Sequence, residues 1–568
     1  MRSRLKWGLD LLCVAALLFA GITHWPTAEL SIPQPAPEAP SWGTVRDALL
    51  DGPDAGEWAR HMLAIQARDY HALDPHRMPT WSMLVNGLLP FEPDVVKAGH
   101  LSNHLLNLAL GLVVFLVGRM AGHRWIGLGA GALAMLATHS LAVSLRFGVD
   151  GTVLTMVPLA VFGALLACRK WWLGVLAGVI AAYVTAAHFS TIPYFLPPLI
   201  LILIAGGKGT RWLAAASYLA GLSGALWYLA QVFPVPSAEN LGISIANGIV
   251  PGYHGGGQVS SWAASYAVIQ QGIPNAIQTS VSLLMQQIRP GWIPWYPALL
   301  LPWLGVVGFG LRRPKEEPTT RWKAIWAQCD WPLGLTLLLC LAPLPVFAAA
   351  QAPFRYADNL LAPGALLLMR GAASVLYIGI AVVRRWLPTS IQAGPWLAAL
   401  LGIGVFFSSY QHAAPFRNPL LPTQEELGYW QLSKALADHF PEGSGVACPI
   451  REALISSRLV YCPQRMCPET ASEASFQHCL GVLKEQCPGD APVGYVVTSA
   501  YLYDPNSPAR RDMDQWVAEH WTPIEKITRH DFYADVYAIP RAEIPDLAGS
   551  PLGKPIVPPA PTLRPPAE

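Results

Sequence analysis

Eleven apolar runs, at 5–23, 101–119, 125–145, 151–168, 171–188, 192–206, 212–232, 293–311, 332–350, 359–382 and 395–411, punctuate this chain. Each approaches the length of about 20 residues that carries a helix across a bilayer, and so many cannot share the core of one soluble domain. The expected fold is a mainly α polytopic membrane protein. Composition agrees: only 13% of the residues are charged and the mean hydropathy is +0.35, whereas soluble domains carry about 25% charge.

The basic residues set an orientation. Arg2, Arg4 and Lys6 precede the first run; Arg119 with Arg124, Arg169 with Lys170, and Lys208 with Arg211 follow in alternate loops. Arg312, Arg313, Lys315, Arg321 and Lys323 form the next cluster, then Arg384 and Arg385. All fall on one side if the N-terminus is cytoplasmic, as the positive-inside rule requires. Eleven crossings of the cytoplasmic (inner) membrane then leave the C-terminal region outside. The first run also has the basic start and nearby small residues of a signal peptide, but its length favours an uncleaved anchor. A net charge of +2 gives no reason to expect nucleic acid as a partner.

Three segments are then extracytoplasmic: 24–100, 233–292 and 412–568. The first two are loops of a membrane part spanning 1–411. GYHGGGQ, Gly252 to Gln258, follows no predicted strand and lacks the Lys-Ser/Thr of a nucleotide loop, so a mobile cover and a plain linker both stay open. Residues 412–542 read as a small α/β domain. TQEELGYWQLSKALADHF, capped by Thr423, and PARRDMDQWVAEHW read as helices, while VGYVVTSAYL and DFYADVYAI read as strands. From 543 to 568 the chain is Pro-rich and expected to be disordered. Cys448, Cys462, Cys467, Cys479 and Cys487 cluster in 412–542, which fits at least one disulfide in an oxidising compartment. A zinc site using His478 is the rival, but no CxxC pair supports it. Cys13, Cys168, Cys329 and Cys340 sit in or beside apolar runs as small fillers.

Against this background one stretch stands out. DGPDAGEWARHMLAIQARDYHALDP, Asp51 to Pro75, puts Asp51, Asp54, Glu57, Asp69 and Asp74 near the bilayer. As local structure DAGE is a capping box: Asp54 starts a helix and Glu57 reaches back, with Trp58, Met62 and Ile65 on a face expected to lie flat on the membrane. Capping does not exclude chemistry, because a carboxylate at a helix start is fixed in direction. RFGVDG, Arg146 to Gly151, places Asp150 at the same edge, where helix capping is again the plain alternative. APFRYADNLLAP, Ala352 to Pro363, offers Arg355 as a bidentate fork for phosphate, with headgroup anchoring beside Tyr356 as its alternative. Asp51, Asp54, Glu57 and Asp150 are also oxygen ligands suited to Mg²⁺ or Mn²⁺. His100 and His104 share one helical face near the same edge; metal ligation is one reading of them, and a pair of interfacial histidines is the plainer one. Arg370 falls in the middle of run 359–382, where a charge is either functional or marks a break in the span.

DAGEWARHMLA followed by DYHALDPHRMPTW, the second acidic loop with Asp150, and FRYADNLLAP before a late run together resemble the GT-C membrane glycosyltransferases. That class includes the aminoarabinose and protein O-mannosyl transferases that use polyprenyl-phosphate sugars. The resemblance covers roughly 1–411, and a C-terminal extracytoplasmic domain also occurs in the class. It implies an inverting transfer of a sugar from a polyprenyl-phosphate donor to a hydroxyl of a lipid, glycan or protein acceptor on the outer face. The first-loop Asp, the base of the class, carries over to Asp54, the second-loop acid to Asp150 and the late-loop Arg to Arg355. Glu57 is placed beside the base, and Asp51, Arg146 and Tyr356 are expected at the substrate. The chain departs from the class in having Gly56 beside the acid and no Glu-Lys-Pro-Pro after HRMP, so the acceptor stays open. No cofactor is expected beyond an optional divalent cation. A transporter of lipid-linked oligosaccharide and a non-catalytic scaffold are the alternatives. A transporter calls for internal repeats and ionisable residues at mid-membrane, and apart from Asp10 and Arg370 the runs are nearly clean.

Overall fold

The structure is a computed structural model. It describes residues 2–24, 58, 61, 62, 65, 78–92, 95–120, 124–145, 148–207, 209–233, 331–341, 361–383, 393–414, 424–441, 444–448, 460–461, 473–486, 492–498, 508–529 and 532–546. The apolar run 293–311, the glycine-rich stretch 252–258 and residues 547–568 of the Pro-rich tail lie outside them; the start of that tail, 543–546, is ordered against expectation, because Ile544 is buried in an apolar cluster.

The described parts of the other apolar runs fold as helices, and a further short helix, Thr80–Leu88, lies in 24–100, the expected first outer loop. They are α1 (Arg2–Thr23), α2 (Thr80–Leu88), α3 (Val95–Met120), α4 (Arg124–Met135), α5 (Thr138–Leu145), α6 (Asp150–Arg169), α7 (Gly174–Thr185), α8 (Leu196–Ala205), α9 (Arg211–Val232), α10 (Trp331–Leu341), α11 (Leu361–Val383) and α12 (Ala393–His412). Run 125–145 is a single span by hydropathy but breaks at 136–137 into α4 and α5. Among the described residues three stretches are both long and apolar enough to cross a membrane: Ala98–Met120, Gly151–Arg169 and Arg211–Val232. Helix α11 passes unbroken through Arg370, which is 5% exposed, so the charge marks no break.

Contacts give the helices their directions. Asp10 of α1 accepts a hydrogen bond from Arg119 at the end of α3 (2.8 Å) and lies 3.3 Å from Arg124 at the start of α4. Near the other end of α1, Gly21 meets Leu108 and Met135. So α1 runs antiparallel to α3 and parallel to α4. Asn103 with Gly148 and Leu106 with Thr155 set α6 parallel to α3. Helix α7 turns back after the short 3-10 turn Trp171–Leu173 and runs parallel to α9. Helix α12 runs alongside α4 and α1, with Gly402 against Trp125 and Tyr410 against His24.

One end of the bundle therefore collects Arg119, Arg124, Arg169, Lys170 and Arg211, with the basic start of α1 beside them. Exposed Trp7, Trp171, Trp172, Trp212 and Trp396 project from that same end. Basic residues with a ring of exposed indoles have the makeup of a membrane–water boundary. The Asp10 pair ties three helices together there. Asp10→Asn keeps the size and loses the charge, and should lower stability by about 1–2 kcal/mol. Thermal unfolding in detergent reads this, and an unchanged Tm would show the pair to be idle.

Residues 424–546 contain a five-stranded sheet in the order β2-β1-β3-β5-β4. The strands are β1 (Gly445–Ala447), β2 (Val460–Tyr461), β3 (Val493–Thr498), β4 (Glu525–Arg529) and β5 (Phe532–Ile539), with helices α13 (Gln424–His439), α14 (Glu473–Gln486) and α15 (Pro508–His520). β1 pairs in parallel with β2 and β3, and β5 lies antiparallel between β3 and β4. Two apolar clusters cover the sheet: Leu432 and Leu436 of α13, with Phe440 just past its end, pack on Val446, Val496 and Val536, while Phe476, Leu480, Met513 and Val517 pack on Val493, Tyr495 and Tyr537. A 2.9 Å hydrogen bond from Lys484, together with its charge, holds the Asp546 carboxyl below the usual carboxylate range. Cys448 is buried just past β1, and no disulfide joins one described cysteine to another. Cys462, Cys467 and Cys487 lie outside the described residues, and Cys479 is placed on α14 by its backbone alone.

Candidate active site

Asp51, Asp54, Glu57, Arg146, Arg355 and Tyr356 lie outside the described residues, and Asp150 is described by its backbone as the first residue of α6. What the structure describes is the frame that holds their neighbours.

Trp58, His61, Met62 and Ile65 are helical, and their spacing of three, four and seven residues puts them on one helix face. All four are buried. The face expected against lipid is turned instead onto protein. Trp58 and Met62 pack with Trp81, Val85 and Leu89 of the α2 region, Ala98 of α3, and Val149 and Val153 at the start of α6. Ile65 packs with Ala186, Leu229 and Phe233, at the ends of α7 and α9. The next residue before Trp58 is Glu57 and the next after Val149 is Asp150. The first-loop helix and the second acidic loop thus meet at one end of the bundle, opposite the basic end.

Polar groups run through this cluster. The Trp81 indole stands edge-on to Trp58, with ring centroids 5.6 Å apart. Its Nε1–H donates to Ser102 Oγ and to Asn103 Oδ1, both at 3.0 Å. Ser102 donates to the Gly99 carbonyl at 2.7 Å, and Asn103 Nδ2 donates to the Gly148 carbonyl at 2.9 Å. His61 Nδ1 is hydrogen-bonded to Ser82 Oγ at 3.1 Å. Thr80 Oγ1 donates to the carbonyls of Tyr183 and Ala186, both at 2.8 Å, which joins the start of α2 to the end of α7. Buried polar groups matched in this way stiffen a site, because breaking any one leaves its partner stranded away from water.

His100 and His104 are 3% and 5% exposed, so they face protein. Among the described residues no group of three or more His, Cys, Asp or Glu side chains is placed to hold a metal ion. Sequence reasoning missed Trp81, Ser82, Ser102 and Asn103. Their signal was present: Ser102 and Asn103 are polar residues inside an apolar run, and such residues usually face a partner.

No protein-family model matches this sequence, and no curated protein matches it. Solved structures do. ArnT from Cupriavidus metallidurans bound to undecaprenyl phosphate superposes with a TM-score of 0.52 at 15% identity, over 93% of this chain and 98% of that one. The archaeal oligosaccharyltransferase AglB from Archaeoglobus fulgidus, in complex with an inhibitory peptide and a dolichol-phosphate, gives 0.47 at 12% identity, over 86% and 70%. Arabinofuranosyltransferase AftD from Mycobacteria gives 0.46 at 13% identity, over 94% and 41%. These neighbours are GT-C glycosyltransferases, and the likeness, at such identities, is one of fold.

Proposed function

Starting from a GT-C membrane fold, we propose that this protein is an inverting glycosyltransferase that draws its sugar from a polyprenyl-phosphate donor. One observation carries the reading: Trp58 and Val149, each adjacent in sequence to a candidate acid, are packed in a single buried cluster. The acceptor is a hydroxyl of a lipid, glycan or protein. Its oxygen attacks the anomeric carbon as its proton passes to Asp54, and the bond from that carbon to the phosphate oxygen breaks. Polyprenyl phosphate leaves with the bonding pair. General-base removal of the proton and stabilisation of the leaving phosphate are the two demands of such a displacement. Asp54 meets the first and Arg355 the second. Glu57 and Asp150 line the same region, with Asp51, Arg146 and Tyr356 on the substrate side. If a divalent cation assists, Asp51, Asp54, Glu57 and Asp150 are the oxygen donors for it.

Residues 1–411 form the catalytic part in this reading and 412–542 an extracytoplasmic one. The basic, indole-ringed end supports a cytoplasmic placement of that face, which puts the acids on the outer side. The transporter alternative is weakened by the pairing of Asp10 at a bundle end, although Arg370 is buried deep in a helix.

The decisive experiment incubates the purified protein with a panel of polyprenyl-phosphate sugars and cell-envelope acceptors and reads the anomeric configuration of the product by NMR. Transfer with inversion is expected. Release of free sugar alone, retention of configuration, or no reaction with any donor overturns the reading. Arg355→Lys keeps the charge but loses the two-pronged contact, so impaired rather than absent transfer is expected. Unchanged kinetics in Arg355→Ala would return this residue to headgroup anchoring.

A further inference from the structure

We infer that Asn103 is a positioning residue that locks the first turn of α6, and with it Asp150, in register with the first-loop helix. This rests on the reading that Asp150 belongs to the reaction site.

The chain of contacts is continuous. Trp58 packs on Trp81, Trp81 donates to Asn103, and Asn103 donates to Gly148, two residues before Asp150. Asn103 is 1% exposed, so water does not replace either bond. An indole N–H is a donor only and a carbonyl oxygen an acceptor only. The side chain between them must therefore accept on one side and donate on the other, with one orientation of the amide satisfying both. Asp lacks the donor and Leu lacks both groups.

Two further features close the register. A Cβ on Gly151 would stand 2.8 Å from Asn103 Oδ1, so the helix start is seated directly on this amide. The Thr152 and Val153 amides both donate to the Val149 carbonyl, at 2.9 and 3.1 Å, which makes the turn beside Asp150 a tight one. Ser102, the other acceptor of Trp81, has its own hydroxyl committed to Gly99 and stays with α3. Asn103 is the member of the network that reaches across to the loop before α6. A shift of about 1 Å in a reacting group can cost 10²-fold in rate, so a residue that never touches substrate can govern turnover.

The test combines kinetics with hydrogen exchange on the full-length protein in detergent or nanodiscs. Asn103→Leu and Asn103→Asp should each lower kcat by about 10²-fold with the donor KM near wild type. Trp81→Phe, which leaves the Gly148 bond in place, should lose less and serves if the Asn103 variants fail to fold. The readout that separates positioning from bulk stability is coupling to Asp150. Asn103→Leu added to Asp150→Asn should slow the enzyme no further, because both changes disable one unit. Amides 150–155 should exchange faster in Asn103→Leu while the rest of α6 is unchanged. Additive losses, or unaltered exchange in that turn, overturn the inference. Wild-type kcat in Asp150→Asn overturns its catalytic half and removes Asp150 from the proposed chemistry, yet leaves transfer itself intact. Absence of transfer in the wild type is the distinct failure of the functional reading, and exchange still decides whether Asn103 holds the turn.

Discussion

Asp54→Asn should slow sugar transfer by about 10²–10⁴-fold while the protein stays folded, since that is the usual worth of a general base. The substitution preserves size, and Asn caps a helix about as well as Asp. A purely structural Asp54 therefore predicts almost no effect. The frame around it predicts that the fold survives the change in either case. Trp58, four residues on, is buried with Trp81 and Val149, so the helix that Asp54 is expected to start is held by packing that the substitution does not touch. Steady-state kinetics with size-exclusion profiles separates the two cases. Wild-type turnover in Asp54→Asn would move the base elsewhere, with Asp51 and Asp150 as the next candidates.

The second large effect is expected where α7 meets α9. Gly174 and Gly178 are four residues apart on one face of α7, the spacing of small residues that lets membrane helices touch backbone to backbone. A Cβ at Gly174 would come within 2.5 Å of the Ala214 carbonyl oxygen, and one at Gly178 would collide with the Tyr218 carbonyl oxygen. Relief by a flexible side chain is impossible, because the obstacle is main chain. Gly178→Val must push the helices apart, at a cost of about 1–3 kcal/mol, and Gly174→Val with it more. Activity should fall further than stability. Ala186, Leu229 and Phe233 at the ends of these helices grip Ile65, so separating them loosens the helix that follows Asp54 and Glu57. Thermal unfolding and kcat measured together test this; a wild-type Tm in the double variant would mean that the bundle repacks without that contact.

Sequence alone placed the helices well where an apolar run is long and bounded by charge. Runs 101–119, 151–168 and 212–232 match α3, α6 and α9 to within a few residues, apart from the start of α3. It placed β3, β5, α13 and α15 from alternation and capping. It did not see β1 and β2, whose three and two residues are too short to show a period, nor β4 and α14. The break at 136–137 was hidden because the residues on either side are as apolar as a continuous span requires. At the site, the acids drew notice because charge near a bilayer is costly. Their supporting frame did not. Asn103 and Gly148 are 45 residues apart, and their bond exists only because α3 and α6 run side by side in one direction, a fact of tertiary structure that no local pattern records.

The ring of indoles on Trp7, Trp171, Trp172, Trp212 and Trp396 has a mechanical consequence for the opposite end. From Trp212 to the exposed Trp227 on α9 is about 22 Å at 1.5 Å per residue. A bundle pinned at one leaflet by aromatic anchors behaves as a post of fixed height in a film of variable depth. In the proposed function the candidate acids belong at its top, and the donor's phosphate belongs at the level of the far headgroups. On that proposal, thinner or thicker hydrocarbon shifts the phosphate relative to the post, and acyl-chain length should itself set the distance between donor and proposed base.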